Sequence, residues 1–344
     1  MAISRMEDTL EIVKYLRGLP KGWTSLERLT QLQKEFGLFL SFSSDGALAS
    51  LNYGYEKHGK ITEEARQLVL EVESFRVIGK SMFRMRDRDE LSEGERGERL
   101  RDPYPGRVER KLDGSIILVY IYKDQWRFNT RKTFVVEGTF WHNLVSSFFL
   151  KLDLTKLDPS SSYVFELVTP FNRVLTTEEE GFYLLAVCSL KYPYPEMDSF
   201  LVDVLAKELG CKRPPFFSLP LAELVEKMEH PTLEEIKTVA EGYVYLDGKD
   251  RLKVKFPLWK RLSKLKGAPI AALEEVYSPI DRMSPEVFSL MESYPLLVTE
   301  EKAKGRSFYF SDNLLLLFQR MQRKKEEFLV KVREIRERMK RRIS

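Results

Sequence analysis

The chain has 344 residues, 43% apolar and 31% charged, enough for one large buried core and a smaller appended unit. No apolar run approaches the roughly 18 residues of a membrane span. The N-terminus has two early acids and no basic start, apolar centre or cleavage site, so a cytoplasmic protein without a membrane partner is expected. Two cysteines, Cys188 and Cys211, and three scattered histidines argue against a disulfide framework or a zinc site.

In chain order, the first 36 residues carry helical patches, with Leu10, Ile12, Val13, Tyr15 and Leu16 on one loose face before the Gly18-Leu-Pro20-Lys-Gly22 break. Residues 66–85 turn extended, with Leu68, Leu70 and Val72 alternating, then Phe75, Val77 and Met82. The stretch from Arg84 to Pro105 is almost wholly charged and reads as a surface loop or short solvated helix. Residues 116–122 and 126–136 are β-branched and aromatic runs, predicting a hairpin. Strands are expected at 163–168 and 182–190, and a further hairpin pairs 242–246 with 251–256 about Asp247-Gly248.

After Pro257 the pattern becomes helical. Leu314, Leu317, Met321, Phe328, Val332, Ile335 and Met339 predict a long amphipathic helix whose other face is basic. The whole chain is only +4, yet residues 313–344 hold eleven Lys/Arg against four Asp/Glu, a net +7, which leaves residues 1–312 at −3. A localised basic surface of this kind is either a solvated helix face or the footprint of a polyanion. The architecture expected is α+β: a mixed body over 1–262 and a small all-α, basic domain over 263–344.

Candidate chemistry begins at Glu109-Arg-Lys111-Leu-Asp113-Gly-Ser115. Lys111 opens the predicted strand, where alternation puts Lys111 and Asp113 on one side. An isolated K-x-D-G can be no more than an Asp-Gly turn at a strand edge. Its company downstream changes that: Phe165-Glu166-Leu-Val-Thr-Pro170-Phe-Asn172-Arg173, then Glu241-Gly242-Tyr243-Val244, then Leu252-Lys253-Val254-Lys255. In this order the blocks resemble the motifs of the phage-type ATP-dependent RNA ligases, the family of the T-even bacteriophage enzyme that joins single-stranded RNA ends. The resemblance runs from Arg66 to Trp259, and Asn52-Tyr53-Gly-Tyr55 extends it upstream.

The resemblance implies a nucleotidyltransferase (ATP-grasp-like ligase) domain of antiparallel sheets with flanking helices, with ATP as AMP donor and Mg²⁺ or Mn²⁺ as the metal. It makes Lys111 the nucleophile toward the α-phosphorus of ATP. An ordinary lysine, with a pKa of about 10.4, is protonated and inert at neutral pH. Partial burial, Lys253, Lys255 and a bound cation are therefore expected to depress it. Lys253 and Lys255, two apart on one strand, would point together at the α-phosphate. By resemblance Glu166 would hold the ribose hydroxyls and share in metal binding, Glu241 would bind the metal, and Asp113 would orient Lys111 or the metal's water shell. Arg66 would contact the nucleotide, although Gln67 stands where the family usually has glycine. Arg84 and Arg131 fall where the family carries lysines on the β- and γ-phosphates, keeping the charge but altering the geometry. Glu109, Val244 and the strand around Arg110 are the candidates for adenine.

The reaction implied has three steps: Lys111 takes AMP from ATP, AMP passes to an RNA 5′-phosphate, and an RNA 3′-hydroxyl displaces it. RNA contacts are expected from Arg320, Arg323, Lys324, Lys331 and Arg338 of the basic helix. No kinase or phosphatase segment is legible, so an end-healing enzyme is expected to be a separate protein. DNA ligases and mRNA-capping guanylyltransferases share the lysine motif, but they normally follow it with an all-β OB-fold, where this chain is helical. A catalytically silent RNA-binding module is the alternative of another class, opposed by the intact Lys111, Glu166, Glu241, Lys253 and Lys255.

Overall fold

The computed structural model describes residues 10–54, 59–169, 172, 179–229, 241–248, 251–256 and 259–260. The predicted C-terminal domain, its amphipathic helix and the five basic residues assigned to RNA there lie outside these residues, as do Pro170, Phe171 and Arg173.

Two helices open the described chain, α1 (Glu11–Gly18) and α2 (Ser25–Phe36). Helix α2 starts at a reciprocal cap between Thr24 and Glu27 and ends at Gly37 in the left-handed conformation. Strands β1 (Phe39–Phe42) and β2 (Leu48–Asn52), helix α3 (Gly59–Glu64), then β3 (Arg66–Glu71) and β4 (Val77–Gly79) build the first sheet in the order β1-β2-β3-β4. The alternation read at Leu68 and Leu70 is hidden because β3 is buried on both faces. Leu68 and Leu70 pack against the α1–α2 side, whereas Val69 packs toward the second sheet.

The charged stretch after Arg84 is more structured than expected. It contributes β5 (Arg86–Asp87) and α4 (Glu93–Arg101), and β5 joins the third sheet. That sheet contains β6 (Gly106–Lys111), β11 (Phe216–Leu219), β12 (Gly242–Leu246) and β13 (Arg251–Lys255), in the order β11-β6-β12-β13-β5. The β13–β5 pair is parallel, an exception to the expected antiparallel pairing. Its short edge strand enters from a separate segment rather than through a hairpin.

The second sheet has the order β10-β9-β7-β8, from β7 (Ser115–Tyr122), β8 (Gln125–Asn129), β9 (Ser161–Val168) and β10 (Gly181–Ser189). Lys123 and Asp124 both adopt positive φ, 50° and 57°, the twist a two-residue hairpin turn requires. Strand β8 stops at Asn129, short of the predicted 136; the chain then turns back, with Phe134 bridging Asn129 and Val135 N donating to the Phe128 carbonyl. Helices α5 (Phe140–Phe149) and α6 (Ser199–Leu209) cover one face of this sheet through Val145, Phe149, Val202 and Ala206. Helix α7 (Leu221–Glu229) packs on the third sheet through Leu221, Leu224 and Met228.

The first two sheets share a core in which Leu48, Val69 and Ile78 meet Leu118, Tyr120 and Val164. Half-buried Val244 of the third sheet and Leu185 and Ile116 of the second pack on that same cluster. Val244 thus ties the third sheet to the core that the other two share.

Candidate active site

Lys111 is the last residue of β6, and Asp113 lies in the Leu112–Gly114 connection to β7. The expectation that Lys111 opens a strand is corrected: it closes one, and the turn, rather than strand alternation, brings Asp113 back toward it. Gly114 has to be glycine for space, because a Cβ there would lie 2.4 Å from the Leu167 carbonyl oxygen.

Register then assembles the rest. Gly242 pairs with Lys111 on one side and Lys255 on the other, so the two lysines flank a residue with no side chain. Gly242 has φ +144°, and a Cβ would sit 2.2 Å from the Val254 carbonyl oxygen, so only glycine serves. Two residues along, Glu109, Val244 and Lys253 form the next row on the same face.

Glu241, just before β12, bridges the lysines. Its Oε2 accepts from Lys111 Nζ at 2.6 Å, and its Oε1 lies 3.1 Å from Lys255 Nζ. Glu166 stands on the central strand β9, and Asp113, Glu166 and Glu241 are all buried. Burial, with Glu241 and Asp113 as like charges, pushes the Glu166 carboxyl up to about 8 despite attraction to Lys111 and Arg66. For Lys111 the outcome opposes the sequence expectation. Burial pulls its pKa down, but Glu241 and Glu166, with Asp113, outweigh it and hold the ammonium above its ordinary value. Lys253 does titrate low, from burial and Lys255, against the pull of Asp87 at 3.0 Å.

A second cluster adjoins the first. The Tyr53 ring lies 4.4 Å from the Arg131 guanidinium and 5.1 Å from that of Arg84, which also pairs with Glu90 at 2.8 Å. Burial would raise the Tyr53 hydroxyl, yet Arg66, Arg131, Lys253 and Arg84 together bring it below its ordinary value. The structure therefore gathers Arg66, Arg84, Arg131 and Lys253 around one phenol. Sequence reasoning gave Tyr53 no role, because an aromatic flanked by small and polar residues carries no charge signal.

Gln67, where glycine was expected, has φ 46°. The left-handed backbone is kept without glycine, and the side-chain amide donates to the carbonyls of Asn129 at 3.3 Å and Ile116 at 3.4 Å. Asn172 ties down the segment after β9, accepting from Thr169 N at 2.8 Å and donating to Leu167 O at 2.6 Å. Glu109 sits on the site face, and its Oε1 accepts from Arg213 at 2.6 Å and Arg107 at 2.8 Å, both of which also pair with Asp203. Arg213 further donates to the Leu184 and Leu185 carbonyls, so this network fixes the wall facing Val244.

Asp113, Glu166 and Glu241 carry the hard oxygen donors that a divalent cation such as Mg²⁺ or Mn²⁺ takes. Among the described residues, no group of three His, Cys, Asp or Glu side chains converges as a finished metal cage.

Fold and site together define a nucleotidyltransferase of the ligase kind. The solved structure of a candidate ATP-dependent DNA ligase from Aquifex aeolicus shares the fold, with a TM-score of 0.51 and 17% identity over 88% of this chain and 80% of that one. Structures of a Naegleria gruberi RNA ligase also match: one with pyrophosphate at TM-score 0.43 and 17% identity, over 62% of this chain and 65% of that one. One described with ATP and Mn gives 0.40 and 19%, over 53% and 57%. No curated protein matches the chain. The RNA ligase family model matches residues 64–260, more than half of the chain, and the protein belongs to that family.

Proposed function

We propose that the protein is an ATP-dependent RNA ligase that seals 5′-phosphate and 3′-hydroxyl RNA ends through an AMP carried on Lys111. The supporting observation is the row Lys111–Gly242–Lys255 with Glu241 bridging both ammonium groups. Lys111 Nζ would attack the α-phosphorus, forming an N–P bond as the α–β anhydride breaks and pyrophosphate leaves. The nitrogen has to shed a proton first, because Glu241 and Glu166 hold it as an ammonium. Glu241 and Glu166 are the residues to hold a divalent cation, which would draw carboxylate charge away from Lys111 and neutralise the phosphates. Lys255 and Lys253 neutralise charge building on the α-phosphate, and Tyr53, Arg66, Arg84 and Arg131 receive the departing pyrophosphate. Glu109, held by Arg107 and Arg213, and Val244 bound the adenine.

AMP then passes from Lys111 to the RNA 5′-phosphate, and the 3′-hydroxyl oxygen displaces AMP to close the phosphodiester. We assign RNA contacts to Arg320, Arg323, Lys324, Lys331 and Arg338 in a basic unit over 263–344. Ends of the right chemistry would be supplied by a separate kinase or phosphatase. Free cysteines at 188 and 211, and no membrane-crossing helix among the described residues, suit a cytoplasmic site of action in RNA repair.

Incubation with ATP labelled at the α-phosphate, followed by a denaturing gel, tests the reading. Wild type should carry label and Lys111→Ala none; undiminished label on the variant sinks the adenylate. Sealing of an RNA and DNA panel then tests the substrate. Labelling from GTP, or sealing of nicked duplex DNA alone, would point to the capping or DNA-sealing alternatives. Replacing Arg320, Arg323 and Lys324 by serine should spare adenylation yet weaken RNA sealing.

A further inference from the structure

Away from the lysines, the described residues enclose a cavity of about 600 Å³ at the turn end of the β12–β13 hairpin. Arg107, Leu246 and Arg251 form one row of its wall. Alternation places that row on the face that carries the Glu109–Val244–Lys253 and Lys111–Gly242–Lys255 rows. The cavity therefore prolongs the cleft past its nucleotide end, and none of Lys111, Glu166, Glu241 or Lys255 lines it.

We propose that this cavity is a subsite for one nucleotide of the single-stranded RNA substrate, joined to the phosphate cluster through Arg84. The inference rests on the RNA ligase reading above. Its platform is Phe83. Lys80 is only 1% exposed, and its ammonium sits 4.1 Å from the centre of the Phe83 ring while donating to the Ser81 carbonyl at 3.2 Å. The Phe83 side chain still keeps 44% exposure in the cavity wall. A ring with a cation on one face and open space at the other is built to receive a flat partner, and base–aromatic stacking is sequence-tolerant.

Elsewhere the lining presents both hydrogen-bonding senses. The Arg251–Glu196 ion pair offers guanidinium donors beside a carboxylate acceptor. A nucleobase edge carries acceptors and donors side by side and complements such a pair, whereas a bare phosphate or an acidic peptide would be repelled by Glu196. Arg84 lines the same cavity and reaches the Tyr53 ring, so a phosphate on the bound nucleotide would meet the cationic cluster. The volume falls within the roughly 300–1,000 Å³ of small-ligand sites and holds one nucleotide.

The test uses the full chain with Phe83→Ala, Phe83→Tyr and Glu196→Gln. Two quantities are measured: self-adenylation from labelled ATP, and KM for sealing a 5′-phosphorylated single-stranded RNA. With adenylation unchanged, Phe83→Ala should raise the RNA KM on the order of tenfold. Phe83→Tyr should restore it, and Glu196→Gln should raise it severalfold. An unchanged RNA KM in Phe83→Ala, or no rescue by tyrosine, overturns the subsite. If adenylation falls in Phe83→Ala, Glu196→Gln decides alone, and an unchanged KM there overturns it. Should wild type take label yet seal no RNA, the RNA ligase reading has failed. Anisotropy of a labelled RNA then judges the cavity separately, and equal affinity of wild type and Phe83→Ala rejects it.

Discussion

The two ends of the cleft carry opposite electrostatics. At the lysine end, three buried carboxylates gather about Lys111, one of them also pairing with Lys255, and burial, with Glu241 and Asp113 as like charges, raises the Glu166 carboxyl to about 8. At the arginine end, four cations surround Tyr53 and bring its hydroxyl below the ordinary phenol value despite burial. The difference separates two tasks. On the proposed reading a polyphosphate would be drawn to the arginine end, where the leaving pyrophosphate would be held. Lys111 sits where negative charge keeps it protonated, so as the proposed nucleophile it would stay quiescent until the carboxylates find another cation.

The sharpest way to break this contrast is to remove the bridge. Glu241→Gln should lower self-adenylation at least about 100-fold, by analogy with the loss of one preorganised transition-state group. It should also move the alkaline rise of the residual rate to lower pH, because the charge that raises the Lys111 pKa has gone. Single-turnover labelling across pH checks both, and a profile that does not move would dissociate Glu241 from the Lys111 proton. Lys111→Ala in the labelling assay remains the all-or-none control.

At the arginine end, Tyr53→Ala should raise the KM for ATP roughly tenfold, removing the ring on which Arg84 and Arg131 rest. Tyr53→Phe keeps the ring and should cost only a few-fold. Equal effects of the two would show that the hydroxyl, not the ring, matters.

Stability provides a third comparison. Glu166 titrates near 8 when folded and near its ordinary carboxylate value when unfolded, so the folded form binds the extra proton between those limits. Its contribution is fully present below about pH 4.5 and is lost as pH rises through about 8. Melting temperature without nucleotide or metal should fall over that window, and Glu166→Gln should flatten the fall. A variant curve parallel to wild type would remove the carboxyl from the account. The smallest effect is expected at Gln67→Gly. Relief of a left-handed backbone, about 1–2 kcal/mol, opposes loss of two hydrogen bonds of about 1 kcal/mol each, so a melting temperature within a few degrees of wild type is predicted.

Much of the site was legible because the chemistry fixes residue types. Lys111, Glu241, Lys253 and Lys255 occur in short runs whose spacing survives folding, and the β12–β13 hairpin about Asp247-Gly248 stands where alternation placed it. Less legible was whatever depends on two distant segments meeting. Strand β5 looked like part of a solvated stretch, since a two-residue strand has no period, yet its Asp87 holds Lys253. Helices α5 and α6 escaped for a related reason: they cover the second sheet, and what they bury is set by that sheet. The direction of the Lys111 pKa was not legible because charge balance depends on distances, and without a bound cation three carboxylates from separate segments outweigh burial.

By itself the sequence singled out Lys111, the pair Lys253 and Lys255, and Glu166 and Glu241 as candidates, together with the strands that carry them, since these are properties of local spacing and residue chemistry. Only the tertiary structure decided that Gly242 lies between Lys111 and Lys255, that Tyr53 organises the arginine cluster, and that Phe83 faces a cavity backed by a buried lysine. The physical reason is that register, burial and electrostatic balance arise from segments brought together across the fold, and no local pattern records them.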